Sequence, residues 1–197
     1  MKRRTFDLLA SVAGLFLAAV LVVAGSLLFW AHNFVGNEVH TQLAAQQIFF
    51  PPKGSQAIAG ADFAPIRKYA GQQLSTGAQA QAYADHFIAI HLKKIGGGKT
   101  YSQLSAESQA NPSDAKLAAT VQTVFRGETL RGLLLNAYAF GTMGVIAGIA
   151  AIAAFVAAAV MLVLGLLGLG HSRRVTGTDE LLAAHQHPET SSDLATV

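Results

Sequence analysis

Two long stretches without a charged side chain constrain this chain more than any other feature. Residues 8–37 hold no Asp, Glu, Lys or Arg, and neither do residues 132–170. A helix crossing a bilayer needs about 20 mostly apolar residues at 1.5 Å each, so each stretch predicts a membrane span. Charged residues make up 13% of the chain, against roughly 25% in average soluble proteins. The deficit fits two segments dissolved in lipid.

The flanking charges set the expected orientation. Lys2, Arg3 and Arg4 precede the first stretch, and Arg173 and Arg174 follow the second. Positive residues beside short segments stay cytoplasmic, whereas long loops cross largely regardless of charge. The expected order is therefore a cytoplasmic N-terminus over 1–7 and a first span over 8–31. An extracytoplasmic helical domain follows over 32–131, then a helix over 132–170 whose span is about 145–168. A cytoplasmic, disordered tail over 171–197 completes the chain. The competing reading of the N-terminus is a cleaved signal peptide ending near Ala24. Such a peptide has an apolar core of about 7–15 residues, shorter than Leu8–Ala31, which favours a retained anchor.

The second stretch exceeds one crossing. Its 39 residues would form a helix of about 58 Å, against a hydrocarbon layer of about 30 Å. Residues 132–144 are thus expected to project outward, covered by the extension of the first span over 34–50. Phe29, Trp30, Phe34, Tyr138 and Phe140 fall where an aromatic belt at the outer interface belongs. Small residues let helices approach closely in lipid. The first span offers Ala10, Gly14 and Ala18; the second offers Gly144 and Gly148, continued by Ala150, Ala154 and Ala158. These stripes pair either the two spans of one chain or the spans of a homo-oligomer.

The outer segment reads as all-α. Val39–Phe50 predicts a helix stopped by Pro51 and Pro52. Lys53–Pro65 reads as a connector and Ile66–Leu74 as a short helix. Thr76-Gly-Ala-Gln79 matches a capping box. It opens a helix over 77–95 with Tyr83, Phe87 and Ile90 on one face, widened by Ile88, Leu92 and Ile95, and Gly96 in the left-handed position at its end. Thr100-Tyr-Ser-Gln103 repeats the pattern and starts a helix to about Gln109. Asn111-Pro112 predicts a further start, with Asn111 as the cap and Pro112 at the first helical position. From it Leu117, Val121, Val124 and Phe125 run toward the membrane, and Gly127 and Gly132 weaken that helix without breaking it.

Chemistry-bearing patterns are few. The chain has no Cys, which excludes disulfides and thiol catalysis. A net charge of +3 without a basic cluster is no nucleic-acid footprint. Gly96-Gly-Gly-Lys99-Thr100 hints at a phosphate loop, but the required earlier glycine is Lys93 and a helix, not a strand, precedes it. His32, His40, His86 and His91 lack the i, i+4 spacing and the carboxylates of a metal set. Glu38, Asp62, Asp85, Glu107, Asp114 and Glu128 lie singly. Arg126-Gly-Glu-Thr-Leu-Arg131 reads as a polar collar at the interface, with a headgroup or partner contact as the alternative. No catalytic, cofactor or metal residue is assigned.

Three segments carry a resemblance: Gln42-Leu-Ala-Ala-Gln-Gln-Ile-Phe-Phe-Pro-Pro-Lys-Gly54, Lys68-Tyr-Ala-Gly-Gln-Gln73 and Phe125-Arg-Gly-Glu-Thr-Leu-Arg-Gly-Leu-Leu-Leu-Asn-Ala-Tyr138. With them the chain resembles a family of actinobacterial two-span integral membrane proteins that has no established activity. The resemblance implies a bacterial plasma-membrane protein with an outer domain. Members sometimes carry the label ring-opening dioxygenase, yet a non-haem iron oxygenase needs His and carboxylate ligands around an open metal site. The function expected here is non-enzymatic: a scaffold or accessory subunit whose outer domain binds a protein partner, or a homo-oligomer. The alternative is a small-molecule, lipid or metal-binding membrane sensor.

Overall fold

A computed structural model describes residues 3–174. Its elements are α1 (Arg3–Ala45), two 3-10 segments (Gln56–Ile58 and Ala61–Tyr69), α2 (Gly77–Tyr83), a π turn (Ala84–Ile88), α3 (Ala89–Ile95), α4 (Tyr101–Ala110) and α5 (Ala115–Arg174). Among the described residues there is no strand; one isolated antiparallel bridge joins Phe49 to Gln73. The fold is all-α, and α1 and α5 are long and apolar enough to cross a membrane. Helix α5 runs without interruption through Gly127 and Gly132 and takes in residues 171–174, placed in the tail on sequence grounds. The rest of the expected tail lies outside the described residues.

The chain divides into two compact units, one formed by the segments up to Ser26 and from Ala151, the other by Leu27–Ala150. In the first, α1 and α5 pair antiparallel through small side chains. On α1, Ser11, Ala18 and Gly25 are buried; on α5, Ala151, Ala158, Gly165 and Ser172 are. These positions step by seven, the repeat that keeps one face of a helix on a neighbour. A Cβ on Gly14 would stand 4.0 Å from the Gly165 Cα, and one on Gly25 would stand 3.0 Å from the Phe155 ring. Gly168 lies directly against the Ser11 hydroxyl, which itself donates to the Asp7 carbonyl. The expected stripe is corrected on both helices: Ala10 faces outward and Ser11 takes its place, while Ala151 rather than Ala150 or Ala154 is fully buried. A four-residue step drifts off the contact face, whereas alternating steps of three and four hold it.

In the second unit the seven-residue step continues with His32 and Val39 opposite Gly144 and Gly141. The His32 Nδ1–H donates to the Gly144 carbonyl at 2.8 Å. That approach is open because Gly148 has no side chain: a Cβ there would stand 2.8 Å from Nδ1. The GxxxG thus receives an imidazole from the same chain.

Helix α1 ends at Ala45, five residues before the predicted stop. Gln47 takes a positive φ of 52°, and the chain turns into a short pairing in which Phe50 N–H donates to Gln72 C=O and Leu74 N–H to Ile48 C=O. The backbone of 48–50 is spent on residues 72–74 and is lost to the helix. Gln73 Nε2 donates to the Ala44 carbonyl and satisfies one of the free acceptors at the helix end. The 3-10 segments occupy the stretch read as a connector and run on to Tyr69, into the stretch read as a helix; Ala70 and Gly71 then turn, with Gly71 at a φ of 74°, and residues 72–74 lie outside any helix. Arg67 explains the order of the 3-10 segments: it donates to the carbonyls of Ile58, Ala59 and Gly60 at 2.7–3.1 Å. Around this loop lies the core of the unit, where Phe50, Ile66, Leu74, Ala80 and Ala84 meet Leu134 of α5. Burying a side chain such as Ile66 or Leu74 contributes about 1.5–3 kcal/mol.

The helix predicted over 77–95 has those bounds, and its capping box is present with Thr76 and Gln79 bonded reciprocally. A π turn interrupts it, so that Ala89 N–H donates to Ala84 C=O. The buried row is Ala80, Ala84, Ile88 and Leu92; Tyr83, Phe87 and Ile90 pack beside it, and Ile95 is exposed. Gly96 is not left-handed. That conformation falls on Gly97 (φ 62°) and Gly98 (φ 81°), with Gly98 N–H donating to Lys93 C=O and Gly97 N–H to Lys94 C=O, the paired bonds of a Schellman ending. The second capping box is present at Thr100 and Gln103. The next helix start is corrected by three residues: Asp114, not Asn111, caps α5, accepting from Leu117 N–H at 2.9 Å. Asn111 instead closes α4, donating from Nδ2 to Glu107 C=O. Leu117, Val121 and Val124 pack on Leu104 as a small second cluster, and exposed Phe125 rests on Tyr101. Gly127 has a packing reason, since a methyl there would overlap the buried Leu92.

Candidate docking groove

Helices α1 and α5 flank a groove in the second unit. One wall is Phe34, Val35, Val39 and Leu43; the other is Leu130, Leu133, Leu134, Ala137 and Phe140, with Ile48 at the end. Its volume is about 480 Å³. Leu134 at its base belongs to the core, whereas Phe34, Leu133 and Phe140 are 55%, 61% and 58% exposed. Glu38, Gln42 and Gln46 rise along the α1 rim one turn apart. Glu38 is the one charged residue of the lining, and its carboxylate accepts from Gln42 Nε2 at 2.8 Å. On the opposite flank of the same helix pair the start of α2 comes close: a Cβ on Gly77 would stand 3.2 Å from Tyr138 Cα and 3.4 Å from Gly141 Cα. That flank keeps a hollow of about 460 Å³ beside the contact, lined by His40, Thr76, Tyr138 and Val145 among others.

Residues from 42–54 and from 125–138 line the groove, and 68–73 pairs with the first of these beside it. Residues 42–54 and 68–73 form the Phe50–Gln72 and Leu74–Ile48 turn, and Gln42, Leu43, Gln46 and Ile48 face Leu130, Leu133, Leu134 and Ala137 across the groove. Sequence spacing marked these segments without revealing that they converge, because residues 48–50 and 72–74 pair through backbone atoms.

Several other residues weighed from sequence have structural partners. Lys99 of the glycine turn pairs with Glu107 at 2.7 Å, and Thr100 caps α4. His32 is bonded to Gly144, and His91 Nδ1–H donates to Phe87 C=O while its ring packs on Phe63 and Phe87. Among the described residues no group of three or more His, Asp or Glu is placed to hold a metal ion. Arg131 pairs with Glu128, as the spacing suggests, and also with Asp85 on the π turn at 3.0 Å, a contact that spacing could not reveal. The hydrogen bond to Asp85, aided by Glu128, holds its pKa above the usual guanidinium value. A polar hollow of about 690 Å³ beside it carries both signs, Asp62 and Asp85 against Lys93 and Lys94, with no set suited to one ligand charge.

No protein-family model, curated protein or solved structure matches this chain. Among the described residues, the fold is all-helical, with two helices apolar enough for a membrane and an apolar groove between residues 34–48 and 130–140.

Proposed function

We propose that this is a non-enzymatic, two-span protein of a bacterial plasma membrane that works as a scaffold or accessory subunit. Both termini lie in the cytoplasm, and residues 32–131 form an extracytoplasmic head that binds a protein partner. The observation that carries the reading is the open groove. Contiguous exposed apolar surface rimmed by polar residues marks an interaction site, and a cleft with Leu133 and Phe140 more than half exposed suits a surface-bound partner better than an enclosed small ligand. The outward apolar side chains of α1 and α5, Phe16 and Leu167 among them, suit lipid. Small residues turned inward suit helix pairing within it.

The test is photo-crosslinking in intact cells, with a benzoylphenylalanine placed at Leu133 or Phe140 and at exposed Gln109 as control. Discrete protein adducts at the two groove positions and none at Gln109 are expected. Adducts to lipid alone, or equal labelling at Gln109, would overturn the proposal.

A further inference from the structure

The groove also indicates what kind of partner it takes. We infer that its occupant is an α-helix of a second membrane protein, leaving the bilayer beside this one and carrying a Lys or Arg opposite Glu38. The inference rests on the docking reading above and specifies the chemistry of that same surface.

Three features lead there. The first is shape: the lining on α1 runs from Phe34 to Leu43, with Gln46 in the turn beyond the helix end, and at 1.5 Å per residue the helical part is about 14 Å long. Two helices flanking a trough of that length offer the ridges and grooves into which a third helix packs. The second is continuity. At the Phe34 end Trp30 stacks on Phe34 with centroids 5.4 Å apart, and exposed Leu27, seven residues before Phe34, and Met143, three after Phe140, continue the same helices with apolar side chains. An occupant can therefore pass from a lipid-facing apolar surface into the groove without crossing a polar barrier.

The third is the placement of the polar groups. A lipid would need its polar partners gathered at the headgroup end of an acyl-chain slot. Here Glu38, Gln42 and Gln46 recur at every turn along the rim, which matches a helix presenting polar side chains at the same pitch. With one carboxylate and two amides over an apolar floor, the complementary face is apolar with one cation. An acidic residue at that level would meet Glu38 as a like charge and be rejected.

A synthetic Leu/Ala membrane helix tests this, anchored by Trp and extended by about 12 apolar residues on one side. One version carries a Lys at the level of Glu38, the other a Glu. Association with the full chain in phosphatidylcholine nanodiscs is read by energy transfer to a label on Ser102→Cys. The Lys peptide is expected to bind about fivefold tighter than the Glu peptide, the ratio worth roughly 1 kcal/mol. Glu38→Lys should invert the preference, and Leu133→Asp should abolish binding of both. Binding that Leu133→Asp abolishes but that ignores peptide charge in both backgrounds would overturn the charge match and leave the docking reading standing. No binding of either peptide, with adducts still forming at Leu133 in cells, would overturn the helix as occupant. Self-association of the chain through Leu133 in preference to either peptide would replace it with a second copy.

Discussion

Substituting Gly148 tests the closest approach between α1 and α5 in the second unit. A methyl at that position stands 2.8–3.1 Å from three atoms of the His32 ring, so the imidazole must tilt away and its 2.8 Å bond to Gly144 C=O is lost. Interhelical hydrogen bonds of this kind contribute about 0.6–1.7 kcal/mol, and overpacking adds about 1–3 kcal/mol. Exchanging Gly for Ala in a helix returns about 1 kcal/mol. Gly148→Ala should therefore lower stability by about 1–4 kcal/mol. In a His32→Ala background the ring is gone, and the same change should be neutral or stabilising by up to about 1 kcal/mol. The assay is reversible unfolding in mixed detergent micelles, followed by circular dichroism, as a double-mutant cycle. Equal effects of Gly148→Ala in the two backgrounds would refute the reasoning, because only contact with the imidazole reverses the sign.

Arg67→Ala removes a guanidinium that donates to three carbonyls; a loss of about 1–2 kcal/mol and faster protease cleavage within 53–62 are expected by limited proteolysis. Gly127→Ala should cost about 1–3 kcal/mol through overlap with Leu92, and a Leu92→Ala background should relieve it in the same unfolding assay. Burial raises the Tyr83 pKa above its ordinary 10.0, so the folded state keeps the phenol proton to higher pH than the unfolded chain. The stability this contributes is complete below pH 10 and is lost as pH rises through the folded value; Tyr83→Phe should flatten the alkaline loss in a pH series of melts.

Much of the fold could be read from local chemistry. Both capping boxes, the bounds of the 77–95 helix and the apolar stretches of α1 and α5 follow from residues within one or two turns of each other. What escaped was set by distant partners. Helix α1 stops early because residues 48–50 pair with 72–74, and the 3-10 segment over 61–69 is tied down by Arg67 reaching back to Ile58. The π turn bears Asp85, whose partner Arg131 is 46 residues away. The seven-residue step of Gly144, Ala151, Ala158, Gly165 and Ser172 was present in the sequence; the adjacent four-residue Ala and Gly spacings obscured it. The groove could not be foreseen, since its two walls come from segments far apart in the chain and nothing local says that they face each other.

The central claim is the placement of the head outside the membrane and of both termini inside. Because the chain has no Cys, single substitutions Ser102→Cys and Ser191→Cys give unambiguous reporters. A membrane-impermeant maleimide applied to intact cells should label the first at once and the second only after permeabilisation. Labelling of Ser191→Cys in intact cells, or protection of Ser102→Cys, would contradict the account.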